Sequence, residues 1–433
     1  MAPTTRTSRH ETLATATESE VSFVARPTPQ LITTPSRPFL LRHGRSLILI
    51  VLIAINLRPA VTGVAPLLAD IRGDLGLSNA AAGALTTLPV LCFGLFGLIA
   101  PALTRRVREE VLLAGSMALL IVGILVRSGP WQLTLFTGAL LVGLAISVGN
   151  VAAPALIKRD QPESVTFVTA VYTTAVTLGA AIASGVVVPI QESAGSGWRL
   201  PLVLLAAPAL LAGLVWSPRA LRAARRPIAG GTVSAGLWRN RLAWHVTGFM
   251  GLQSLLAYVV FAWLPTLCQD RGMGEGGAGL VLAVSCLVQA TGSLLVPAID
   301  RHLRDQRPIV LAVVALTAVG FAGVAWAPVG LIWVSAVALG LGQGAGFALA
   351  LAFIGLRSGD ARVAARLSGM AQGVGYLIAA IGPFAVGLLH DLSNGWTLPV
   401  AIMIAIALLE GVPGMTAGRA RTIAASAPAT VVE

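Results

Sequence analysis

Of the 433 residues, 56% are hydrophobic and only 11% charged, with a mean hydropathy of +0.83. Soluble domains carry about a quarter charged residues, so this chain has too little polar surface to cover a water-facing globule. The excess of 30 basic over 18 acidic side chains therefore reads as cationic loops beside a bilayer, and no nucleic-acid partner is expected.

Residues 1–45 are rich in Thr, Ser, Pro and Arg without apolar periodicity and predict a disordered tail. It is not expected to be a cleavable signal peptide, because no short apolar core with a small-residue cleavage site precedes the first long span. Apolar blocks of roughly 18–25 residues follow, enough to cross about 30 Å of hydrocarbon as helix. In the first half they fall near 47–69, 79–103, 111–126, 131–157, 165–190 and 200–216. In the second half they fall near 242–267, 276–299, 309–326, 329–356, 365–389 and 396–413. The expected fold class is all-α: a polytopic membrane protein with 12 transmembrane helices in two pseudo-symmetric six-helix bundles. The bundles are expected at 46–217 and 240–415, with a basic linker at 218–239 and a second tail at 416–433.

Loop charge sets the expected orientation. Arg42 and Arg45 precede the first span; Arg105, Arg106 and Arg108 follow the second; Lys158 and Arg159 follow the fourth. Arg219, Arg222, Arg225, Arg226 and Arg239 fill the linker, and further arginines follow the eighth, tenth and twelfth spans. The opposite loops hold only Arg72, Arg127, Arg199 and Arg271. With an even span count, this bias predicts a multi-pass protein of the cytoplasmic (inner) membrane with both termini cytoplasmic.

The halves also repeat. Residues 83–108 align without a gap on 279–304, so that Pro101 falls on Pro297, Arg105 on Arg301 and Arg108 on Arg304. Tyr172 similarly falls on Tyr376. Parallel repeats are a recurrent transporter architecture, with the solute site between them near the midplane.

Arg58, in the middle of the first span, is the most informative residue. An arginine there costs roughly 2.5–3.5 kcal/mol on insertion scales. Pro59 follows it and Asn56 precedes it by two positions, so a kinked backbone is expected. Carbonyls freed by the kink could neutralise the charge; the favoured reading is a cavity cation that draws in an anionic or strongly polar solute. The acids are sparse in the spans, and only Glu410 lies well inside one. A proton-relay carboxylate at mid-membrane is therefore not expected, and His245 is a weak substitute.

Neutral polar and aromatic side chains complete the expected lining: Asn56, Asn150, Tyr172, Gln253, Tyr258, Trp263, Gln289, Gln343, Gln372 and Tyr376. Amides and phenols can hold a small polar solute by directed hydrogen bonds, or can instead bond between helices. The substrate-binding set expected is Asn56, Arg58, Tyr172, Gln253, Trp263, Gln289, Gln343, Gln372 and Tyr376, with no catalytic residue, metal or cofactor.

Cys92, Cys268 and Cys286 lack metal-ligand spacing and read as small packing residues. GVGY at 373–376 lies inside one long apolar helix and is no potassium filter. Gly340, Gly342, Gly344 and Gly346 fit close helix packing better than phosphate binding. The single lysine, Lys158, has no glycine loop before it, which excludes a P-loop.

Four segments carry a resemblance: NLRPAVTGVAPLLADI at 56–71, APALIKRD at 153–160, AWLPTL at 262–267 and LSGMAQGVGYLIAAIGPFAVGLLHD at 367–391. Together they make the chain similar to the major facilitator superfamily, and within it to the cyanate-permease and 2-nitroimidazole-exporter branch. The superfamily's cytoplasmic signature between the second and third spans is degenerate here, as APALTRRVRE, whereas the second-half loop keeps Asp300 and Arg301. The resemblance implies a secondary or facilitative transporter rather than an enzyme, working by rocking of the two bundles around a central site. It implies a small polar solute such as cyanate, or, as the alternative, proton-linked efflux of nitroimidazole-like or other drug-like compounds. It also places Asn56, Arg58, Gln372 and Tyr376 in its first- and eleventh-helix motifs. The expected partners are the lipid bilayer and that solute, with coupling to protons left open and a monomer as the expected state.

Overall fold

In the computed structural model the described residues are 37–103, 107–161, 165–195, 197–224, 237–359 and 361–423. Most of the first tail, Arg105, Arg106, Arg225, Arg226 and residues 424–433 lie outside them. The described residues form twelve helices long and apolar enough to cross a membrane.

The first membrane helix, α1, is broken into Arg37–Ala54, Pro59–Thr62, a 3-10 turn at Ala65–Leu67, and Leu68–Leu75. The rest of the first half comprises α2 (Asn79–Leu103), α3 (Glu109–Arg127), α4 (Gln132–Asp160), α5 (Val165–Ala194) and α6, which is interrupted between Arg199–Leu204 and Ala206–Ala224. The second half comprises α7 (Arg241–Asp270), α8 (Glu275–Asp300), α9 (Arg307–Trp326), α10 (Val329–Leu331 as a 3-10 turn, then Ile332–Leu356), α11 (Ala361–Ser393) and α12 (Thr397–Ala417).

Several boundaries differ from expectation in one direction: the helices are longer than their apolar cores. Helix α1 begins at Arg37, inside the stretch read as disordered tail, with Pro38 in its first turn where no N–H is needed. Helix α6 runs through Pro218 to Ala224, so the linker begins later than 218, and α12 reaches Ala417, past the expected start of the second tail. Hydropathy marks the part of a helix that sits in hydrocarbon. Backbone bonding carries several helices on beyond it.

Packing expresses the repeat. Helix α2 lies along α11, and α5 lies along α8, so one pair maps onto the other when the halves exchange. The glycines at the start of the aligned segments make both approaches possible. A Cβ on Gly83 would stand 2.5 Å from Pro383 O, and one on Gly279 would stand 2.7 Å from Ser184 O. Helices α6 and α12 are peripheral and present leucines such as Leu211 and Leu409 outward, as a lipid-facing surface requires.

The two ends of the bundle are held differently. At the arginine-rich end, Arg159 pairs with Glu109 at 2.7 Å, with Asp160 at 2.9 Å and with Glu110, and Arg219 pairs with Asp160. This network ties α3, α4 and α6 together within one half. In the other half, buried Arg357 donates to Ala417 O at 2.6 Å and to Gln306 Oε1. The opposite end is closed across the halves. Asp391 of α11 accepts from Ala80 N at 2.7 Å and from both the backbone N (3.3 Å) and side-chain Nδ2 (2.5 Å) of Asn79, capping α2 from the other bundle. Gln269 donates to Pro66 O at 3.2 Å alongside it.

Candidate functional site

The break in α1 builds the site. Pro59 has no N–H for Ile55 O and its ring clashes with a continuing helix, so the chain turns through 55–58 and restarts at Pro59. Across the turn, Asn56 N and Leu57 N reach back to Ile53 O and Ala54 O, both at 3.1 Å. Arg58 caps the restarted turn with its carbonyl, which accepts from Val61 N at 2.9 Å and Thr62 N at 3.0 Å. Two neighbouring glycines make room. A Cβ on Gly179 of α5 would fall 2.1 Å from Ile55 O, and one on Gly149 of α4 would fall 2.5 Å from a Leu57 methyl.

The Arg58 side chain crosses from the first half to the second. Its guanidinium carbon lies 5.4 Å from the Tyr258 ring centroid and 5.2 Å from that of Phe261, both on α7. Such cation–π contacts contribute roughly 0.5–2 kcal/mol each, which offsets part of the insertion cost. Tyr258, Tyr376, Cys286 and Tyr172 lie within electrostatic range of the charge, and no carboxylate pairs with it among the described residues. All three tyrosines of the chain therefore gather around one arginine. Phe93 of α2 completes an aromatic wall, with its ring 5.9 Å from Tyr258 and 5.8 Å from Tyr376.

Among the described residues, donors on α1, α7 and α8 lack a partner. Arg58 Nε, Tyr258 Oη and Gln289 Nε2 are buried without a hydrogen bond, and Gln289 follows Cys286 by about one turn on α8. Buried polar groups are nearly always bonded, so a set of open donors is a place for an acceptor. Arg58 itself is only half-buried although it sits at the break in the middle of the first span, so it borders open space.

The expected residues sort into three groups. Arg58, Tyr172 and Tyr376 come together, and Gln289 lies within a turn of Cys286. Tyr172 donates to Asn150 Oδ1 at 3.4 Å, and Gln372, one turn before Tyr376 on α11, donates to Ser368 Oγ at 2.8 Å. Asn56, Gln253, Gln343 and Trp263 are bonded elsewhere. Asn56 Nδ2 donates to Leu52 O at 2.7 Å and Pro208 O at 3.3 Å, and so pins the break to α6. Gln253 Nε2 donates to Gln343 Oε1 at 3.2 Å and Gln343 O at 3.1 Å, joining α7 to α10. Trp263 donates to Pro383 O at 2.9 Å and meets Trp396 edge to face, closer to the Asp391 end. Phe93, Phe261 and Cys286 were not expected; one Phe or Cys in an apolar helix carries no mark of what it faces.

Other expectations resolve plainly. The glycines at 340, 342, 344 and 346 meet Ser285 O, Thr317 Oγ1, Gln289 O and Gln253 Cγ, so they serve close packing. The cysteines are buried and unbridged. Arg127, expected in a loop, is instead the last residue of α3 and is 2% exposed, because its side chain turns inward to Ala60 O beside the α1 break.

The Major Facilitator Superfamily model matches residues 50–330. The chain is 40% identical over 377 residues to the 2-nitroimidazole transporter of Escherichia coli (strain K12), covering 86% of this chain and 95% of that one. It is 31% identical over 353 residues to the cyanate transport protein CynX of the same organism, covering 81% and 91%. Among solved structures, a bacterial homologue of the human lysosomal transporter Spinster, in an inward-facing and occupied conformation, superposes with a TM-score of 0.70 at 15% identity, covering 89% of this chain and 98% of that one.

Proposed function

This chain belongs to the major facilitator superfamily and is a multi-pass transporter of a small molecule rather than an enzyme; from that premise we propose that its solute is a small anion, such as cyanate, held by Arg58. The observation that carries this reading is a guanidinium whose buried Nε has no hydrogen-bond partner and which, among the described residues, pairs with no carboxylate and sits against Tyr258, whose hydroxyl is also open. A guanidinium without a carboxylate partner offers a fixed fork of N–H groups to anionic oxygens. Asn150, Gln289 and Gln372 are half-buried and lie toward the arginine-rich ends of their helices, while the opposite end is bonded shut. That supports alternating access in which the α2/α11 and α5/α8 pairs rock against one another. The arginine-rich loops favour placing that end, and both termini, in the cytoplasm.

A second reading is favoured by the aromatic wall. Phe93, Tyr258, Phe261 and Tyr376 can stack a flat heterocycle whose nitro oxygens accept from Arg58, which fits efflux of nitroimidazole-like compounds. Counterflow in proteoliposomes separates the two. Cyanate and other small anions should exchange under the first reading, and 2-nitroimidazole with a dependence on the pH gradient under the second. Exchange of neither class would remove both.

A further inference from the structure

A second cation inside the first half has no role in the solute path described above. Arg127 is 2% exposed and, among the described residues, makes one hydrogen bond, from Nη1 to Ala60 O, while Nε and Nη2 are buried without partners. No carboxylate pairs with it among the described residues. Beside it lies a small cavity walled by Ala60, Val64, Thr86, Pro89 and Ala139, with room for about one water-sized body. The wall is tight because α4 passes directly over the arginine backbone: a Cβ on Gly138 would stand 2.2 Å from Arg127 N.

We propose that Arg127 and this cavity form a site for a small monatomic anion no larger than chloride, distinct from the solute site proposed at Arg58. A buried full charge with a single neutral acceptor is uncompensated, and an unpaired buried ion is costly unless a counter-charge meets it. A water molecule would accept from Nε or Nη2 but would leave the charge unopposed. A halide satisfies both needs, and a nitroheterocycle is too large for the space. Because Arg127 also holds Ala60 O, the ion would stiffen the restarted segment of α1 that follows Arg58.

The test is thermal unfolding of the purified full-length protein in detergent at fixed ionic strength, with chloride replacing gluconate. It is run on the wild type and in the Arg58→Gln background, where halide at the solute cavity cannot contribute. Both should show a saturable rise in Tm of about 2–4 °C. Arg127→Met should abolish the rise. Ala139→Leu, which fills the cavity and leaves Arg127 in place, should abolish it too and decides the matter if Arg127→Met fails to fold. A Tm indifferent to halide in both proteins, as water-only occupancy would give, or a rise that persists in Ala139→Leu, overturns the proposal.

Discussion

Gly179→Ala tests whether the break in α1 sets the position of Arg58. The added Cβ would lie 2.1 Å from Ile55 O, against an ordinary contact of 3.4 Å or more, so α1 and α5 must separate by about 1 Å. The obstacle is a backbone oxygen, which cannot swing aside as a side chain could. Overpacking of this kind costs about 1–3 kcal/mol, which exceeds the roughly 0.5–1 kcal/mol that alanine gains over glycine within a helix. Arg58 lies three residues beyond Ile55, and a charged contact must be held to about 0.5 Å to be productive. Solute uptake by reconstituted protein should fall roughly tenfold, with a lowered Tm. Gly115→Ala is the control, since a Cβ there meets nothing within 4 Å; it should transport normally. If Arg58 mediates the effect, the double variant Gly179→Ala with Arg58→Gln should be no worse than Arg58→Gln alone. Wild-type uptake by Gly179→Ala would refute the reasoning.

Two further outcomes follow from the ends of the bundle. Asp391→Ala removes the cap on α2, about 1–2 kcal/mol for a half-buried site, and should raise the population open at that end about tenfold. Spin labels at Ser78→Cys and Leu392→Cys, in a background where the buried cysteines stay unlabelled, should then show a longer distance component; unchanged distributions would count against the latch. Arg357→Gln leaves the buried carbonyl of Ala417 without its donor and should lower Tm by several degrees, whereas exposed Arg301→Gln should not. Equal melting of the two would show that Arg357 does not hold α12.

Much of the architecture was legible because a bilayer imposes length and polarity on every span. The span number, the kink at Pro59 and the paired halves all follow from residues whose cost or repetition is visible one at a time. Arg58 was legible for the same reason, since a charge at mid-span demands an explanation. The other walls of the proposed site were not. Asn56, Gln253, Gln343 and Trp263 carry the same kinds of donor as Gln289 and Tyr258, but helix rotation turns them toward Pro208 O, one another and Pro383 O. Conversely, Phe93 and Phe261 look like any apolar residue of their helices until the α2 and α7 faces are known. Arg127 was misplaced because it sits at a span boundary, where hydropathy does not distinguish a side chain that enters the loop from one that turns back inside.

The most direct measurement of the central claim is uptake of cyanate and of 2-nitroimidazole by proteoliposomes holding equal amounts of wild type, Arg58→Lys and Arg58→Gln. A charge-assisted contact contributes about 1.5–3 kcal/mol, roughly a 10- to 150-fold effect. Arg58→Gln should lose transport of whichever solute the wild type carries, and Arg58→Lys, which keeps the charge without the fork, should fall between the two. Undiminished uptake by folded, correctly inserted Arg58→Gln would contradict the account.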